Sequence, residues 1–150
     1  PASIEVGFRP GDGPLLQSAI DHSEEIGIDH QVNFMGYRDD VSTLLPGFDA
    51  FMLTSSIEGL PNVLIEAQAS GVPVVSTNVG GAKETFIESI SGIIVDSDEP
   101  QDIADAMIGM LSNTKIMTDG RLAGREFVES RFGMKAMHKQ LHKILFEDFE

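Results

Sequence analysis

Cysteine is absent from this chain, which excludes disulfides and thiolate metal sites and suits a cytoplasmic location. Basic residues are scarce: 10 Lys and Arg stand against 24 Asp and Glu, a net charge of -14. A surface of that sign repels phosphate backbones, so neither DNA nor RNA is an expected partner. The same excess of acid favours solubility and constrains any anionic ligand. A bound diphosphate would need local help from backbone dipoles or from a few well-placed cations. No apolar run approaches the length of a membrane span, and no signal-peptide pattern precedes the first strand. There is also no internal repeat, low-complexity segment or linker. The chain opens at Pro1 rather than at methionine, and the expectation is a piece of a longer protein.

What is there is the ordinary mix of a folded domain. Of 150 residues, 41% are hydrophobic and 23% charged, enough for one domain with a real core. Short β-rich runs at Ile4–Phe8, Val32–Met35, Ala50–Thr54, Val72–Ser76 and Gly92–Val95 alternate with helical patterns. Those patterns fall at Leu15–Ile26, Val41–Leu45, Pro61–Ser70 and Ala82–Glu88. Such alternation predicts a Rossmann-like α/β fold, a parallel sheet with helices on both faces. Most of the runs are continuously apolar, as strands buried on both sides are. After Val95 only helices follow: one near Pro100 capped by Asp98, one around Leu122–Val128, and a last from Met134 to Phe149.

Ligand-binding loops of a parallel sheet sit at the carboxyl ends of its strands. Glycines and polar residues gather there: Gly11 and Gly13, Gly36 to Asp40, Ser55 to Asn62, and Thr77 to Gly81. The richest stretch is Ser55-Ser56-Ile57-Glu58-Gly59-Leu60-Pro61-Asn62-Val63-Leu64-Ile65-Glu66-Ala67. Pro61 or Asn62 opens a helix, and Gly59 is expected to free the turn before it. The amides of Leu60, Asn62 and Val63 then lack intrahelical acceptors and form an anion site that needs no side-chain charge. At about 100° per residue, Leu60, Val63, Leu64 and Ala67 form the stripe that packs on the sheet. Asn62 and Glu66 lie away from it, and Glu58 stands at the mouth of the same pocket. On spacing alone, both glutamates are equally well read as solvated acids at a helix entry.

Glu58 and Glu66, with Ala67-Gln68-Ala69-Ser70-Gly71-Val72-Pro73-Val74-Val75 and Gly80-Gly81 behind them, resemble the signature of family 4 glycosyltransferases. Gly11-Asp12-Gly13-Pro14, Phe34-Met35-Gly36-Tyr37 and Ser91-Gly92-Ile93-Ile94-Val95 fall where that family has its other markers. The resemblance spans roughly residues 4 to 146. It implies a retaining, metal-independent enzyme of the GT-B type, without cofactor, and residues 1–150 as its C-terminal donor-binding domain, truncated at the N-terminus. The donor would be a UDP- or GDP-sugar and the acceptor a glycan or a lipid-linked molecule. By the match, Glu66 hydrogen-bonds the ribose, and Glu58 holds the donor sugar and stabilises developing charge. The amides of Gly59, Leu60, Pro61, Asn62 and Val63 are the family's contacts to sugar and diphosphate, proline contributing only its place in the turn. Backbone at Gly36 and Tyr37 faces the base.

One departure matters. The family's domain begins with a further, central strand and helix that bring an arginine and a lysine to the diphosphate, and this chain opens at what resembles the second strand. The acceptor-binding N-terminal domain is absent too, so the chain by itself is not expected to catalyse transfer, and any membrane-surface association falls to that absent domain. The alternatives are a non-catalytic nucleotide-sugar-binding module and a GT-B epimerase relative.

Lesser signals have simpler explanations. Asp96 and Asp98 suit a helix cap better than a metal site, and His138 with His142 lacks a third ligand. Gly11-Asp-Gly13 lacks the third glycine of a dinucleotide fingerprint. Lys83 is expected in solvent, and Arg121, Arg125 and Arg131 on outer helix faces.

Overall fold

A computed structural model describes residues 4–6 as backbone and residues 15–146 in full. Gly7 and Phe8 of the expected first strand, and Gly11 and Gly13 of the loop after it, lie outside the described residues. Among the described residues five strands and six α-helices follow in order: β1 (Ile4–Val6), α1 (Leu16–Glu25), β2 (Val32–Phe34), α2 (Val41–Leu44), β3 (Phe51–Leu53), α3 (Asn62–Ala69), β4 (Val74–Thr77), β5 (Gly92–Val95), α4 (Pro100–Ser112), α5 (Arg121–Phe132) and α6 (Met134–Phe146). The chain divides into two compact units, residues 1–41 and 42–150.

In the first unit β1 and β2 pair in parallel, with Ile4 opposite Val32 and Val6 opposite Phe34. Past the end of α1, Gly27 takes a positive φ of 72°, which lets the chain turn back while Ile28 N–H donates to the Ser23 carbonyl at 2.9 Å. After β2, Gly36 takes a φ of 59°. Arg38 donates to Asp40 through Nε at 2.7 Å and through Nη2. That hydrogen bond to Arg38 holds the exposed Asp40 carboxyl below the usual carboxylate range.

In the second unit β3, β4 and β5 form one parallel sheet with β4 in the middle. All four residues of β4 are buried, as a strand covered on both faces requires. Val75 packs with Met110 of α4 and with Ile116, and Ile93, Val95, Ala106 and Met107 close around them. Side chains alternate along a strand, so Val74 faces the other way. There it meets the space over Gly92, where the Phe86 ring also sits. Helix α3 packs against β3, β4 and α5.

The parallel α/β architecture is as expected, and several details differ. Ala82–Glu88 is one short 3-10 turn, Ala82–Glu84, and not a helix. The buried Thr85 hydroxyl bonds back to the Ala82 carbonyl at 2.7 Å, and the chain then opens to bury Phe86. Asp98 does not cap α4: the N-cap is Glu99, whose amide donates to Ser97 Oγ at 3.1 Å. A π-helical turn, Ile116–Gly120, leads into α5, which runs longer than its apolar spacing shows.

Among the described residues β1–β2 and β3–β4–β5 remain separate sheets. Each set taken by itself has the order of one half of a doubly wound sheet. Among the described residues β1 pairs along one edge, with β2, and β3 along one edge, with β4, whose register fixes the buried residues of the core.

Arg121 is not on an outer face. Its Nε donates to the Gly71 carbonyl at 2.8 Å and its Nη2 to the Phe48 carbonyl at 2.9 Å, which ties the start of α5 to the end of α3. Arg131 pairs with Glu84 at 3.3 Å and lies 5.8 Å from the rings of Phe127 and Phe132. A second tie is Gln68, buried in α3, whose Nε2 donates to the carbonyls of Val72 and Ser91, each at 3.0 Å. Gly124 of α5 makes room for it: a Cβ there would stand 2.2 Å from Gln68 Oε1. Overpacking costs about 1–3 kcal/mol and alanine's helix preference returns about 0.5–1, so Gly124→Ala is expected to destabilise the unit by about 0.5–2 kcal/mol. Denaturant unfolding measures this, and an unchanged midpoint would show that Gln68 has room to move.

Candidate functional site

The stretch singled out in the sequence forms the link from β3 to α3 at the carboxyl end of the sheet. Glu58 is half-buried in the turn, Gly59 and Leu60 are exposed, and Pro61 is buried as the N-cap of α3. Asn62 is the first helical residue and exposed, while Val63 and Glu66 are half-buried. No side chain caps the helix. Its first amides, on Asn62 and Val63, therefore have no intrahelical acceptor, and they sit at the positive end of the helix dipole. Glu66 lies four residues beyond Asn62, about 6 Å along the axis. The helix turns its other side inward through Leu64, Ala67 and Gln68. Leu60 does not join that stripe: it precedes the helix and is 43% exposed, and Gln68 takes a place in the buried face instead.

The turn owes its shape to β4 and the loop after it. The Thr77 hydroxyl, at the end of β4, donates to the Ser55 carbonyl at 2.7 Å. Gly81 N–H donates to the Gly59 carbonyl at 2.6 Å. Gly80 lies so close that a Cβ on it would stand 2.2 Å from the Glu58 carbonyl oxygen and 2.4 Å from that of Gly59. Its φ is also positive, at 47°. Inside the turn, Ser55 Oγ donates to Glu58 Oε1 at 2.7 Å.

The glycine requirement expected at Gly59 thus falls on Gly80. Gly59 has no positive φ, and a Cβ there would meet nothing within 4 Å. Sequence reasoning placed Thr77 to Gly81 at the right edge but assigned no role to Ser55 or Thr77. The S-x-x-E spacing of Ser55 and Glu58 was the available signal. It usually marks a helix N-cap, whereas here the pair closes a turn outside any helix.

A groove of about 940 Å³ opens alongside, with Met52, Ser55, Thr77, Asn78, Asp96 and Ile103 among its lining. Glu58 and Glu66 do not line it. Asp96 there accepts from Asn78 Nδ2 and stands 3.8 Å from Lys83 Nζ, so both Lys83 and Asp96 are engaged with each other at the surface. Among the described residues no group of three His, Cys, Asp or Glu is placed to hold a metal ion, and no helix is long and apolar enough to cross a membrane. Gly36 and Tyr37 belong to the first unit, where Tyr37 is exposed.

The family of glycosyl transferases group 1 matches residues 6–127. A Vi polysaccharide biosynthesis protein of Salmonella typhi is 46% identical over 96 residues, which are 64% of this chain and 17% of that protein. D-inositol 3-phosphate glycosyltransferase of Corynebacterium urealyticum is 34% identical over 127 residues, 81% of this chain and 29% of its own. Among solved structures, Anabaena HepE in complex with UDP superposes with a TM-score of 0.83 at 21% identity, over 96% of this chain and 40% of that one. The sucrose-phosphate synthase of Thermosynechococcus elongatus gives 0.79 at 26% identity, over 96% and 38%. The chain thus spans well under half of the length of each of these proteins. Matched over most of its residues, and with the motif at Glu58 to Gly81 standing at the carboxyl edge of a parallel sheet, the chain belongs to the glycosyl transferases of group 1.

Proposed function

We propose that this chain is the donor-binding part of a retaining glycosyltransferase that uses a UDP- or GDP-sugar without a metal ion. The observation that carries the reading is the turn from Ser55 to Pro61, clamped by Gly80 and Gly81 and opening straight into the uncapped N-terminus of α3. In a chain of net charge -14, such a terminus offers a diphosphate backbone amides in place of cations. Glu66, one helical turn further, is assigned to the ribose hydroxyls, and Glu58 to the sugar and the charge that develops on it. Support comes from the relatives named as glycosyltransferases and from the UDP bound to a structural neighbour. The base-facing role of Gly36 and Tyr37 rests on the resemblance in sequence. The acceptor, a glycan or a lipid-linked molecule, is assigned to a further domain of the whole protein, whose location would be cytoplasmic.

Calorimetric titration of the chain with UDP and with GDP, in magnesium and in EDTA, tests this. Weak binding that survives EDTA is expected, because amides and a helix dipole do not depend on a metal. An absolute requirement for magnesium would sink the metal-free reading.

A further inference from the structure

The turn that presents Glu58 is held at both ends. Thr77, buried at the end of the central strand, fixes the Ser55 carbonyl, and Gly81 fixes that of Gly59. Neither contact touches the glutamate's own carboxylate, which a flexible side chain would leave free to choose among rotamers. The Ser55 hydroxyl supplies that restraint, at 2.7 Å from Oε1. A hydroxyl given to a carboxylate is a charge-assisted bond, short and directional. It is also asymmetric: Ser55 donates to Oε1 alone, which ties down one of the two carboxylate oxygens.

We infer that Ser55 is the positioning residue of Glu58, relaying the fixed backbone of β4 through Thr77 to the carboxylate. The catalytic use of that carboxylate rests on the reading proposed above; the positioning does not. Ser55 is half-buried and at the surface of the groove, so its role is in orientation rather than in the core.

Carboxyl-carbon NMR of the chain labelled at glutamate tests the relay directly, with Glu58→Gln assigning the Glu58 resonance. In Ser55→Ala that resonance is expected to move and to lose its shift between H2O and D2O, and Ser55→Thr, which keeps the hydroxyl, to restore both. Thermal unfolding should stay where it was. A Glu58 resonance unchanged in Ser55→Ala would overturn the inference. So would a loss of the fold in Ser55→Ala that Ser55→Thr does not repair. A second arm titrates UDP and UDP-glucose as probes. Ser55→Ala should leave UDP affinity unchanged and reduce the preference for UDP-glucose about tenfold, the scale of one charge-assisted hydrogen bond. If the unaltered chain shows no such preference while the resonance still responds to Ser55, the donor-site reading fails and the positioning stands.

Discussion

Gly80→Ala is expected to be among the most damaging single methyls in the second unit, costing about 2–5 kcal/mol. Two independent effects add. A non-glycine residue at a left-handed φ costs roughly 1–2 kcal/mol, and Gly80 has a φ of 47°. Forcing a carbon to within 2.2 Å of the Glu58 carbonyl oxygen adds an overpacking cost of about 1–3 kcal/mol. Backbone stands on the other side of that contact, so no side chain can swing away. Domains of this size hold roughly 5–15 kcal/mol in total. The variant should therefore unfold at clearly lower denaturant, and its Ser55–Pro61 turn should be displaced from β4 even where it folds. Gly59→Ala is the internal comparison: its Cβ would enter open space at an ordinary φ, and a change within about 0.5 kcal/mol is expected. Equal effects at the two glycines would show that the clamp is not what shapes the turn.

The second large effect separates the two glutamates in the complete transferase that we propose. Glu66→Ala should raise KM with little change in kcat, because a ribose contact is the same in ground and transition states. Glu58→Ala should lower kcat, because its contact gains strength only as charge develops at the sugar. Each loss is about 1.5–3 kcal/mol, roughly ten- to a hundredfold. Steady-state kinetics on both variants decides the matter. A pure KM effect in both would remove the catalytic role from Glu58 and leave it a binding residue.

How much of this was visible beforehand depends on whether the determinant is local. The helix start at Pro61–Asn62 was legible, since a proline sits well before a helix and the stripe of Leu64 and Ala67 has the right period. So was β5 at Gly92–Val95, a run of apolar residues with no competing pattern. The role of Gly80 was not, because it comes from Glu58 and Gly59, residues twenty and more positions earlier that only the parallel sheet brings alongside. Arg121 was misplaced for the same reason: its partners at Phe48 and Gly71 are carbonyls, which leave no mark in a sequence. The segment after Gly81 reads as helical from its composition, yet burial of Phe86 over Gly92 opens it after one turn. Tertiary packing overrides propensity there.

The proposed donor site puts a nucleotide diphosphate at the start of α3. Amide 1H–15N spectra of the chain recorded during titration with UDP test it residue by residue. The amides of Leu60, Asn62 and Val63 are expected to shift most, with Gly80 and Gly81 following because they touch the same turn. Saturable shifts confined to other surfaces, with those five amides unmoved, would contradict it.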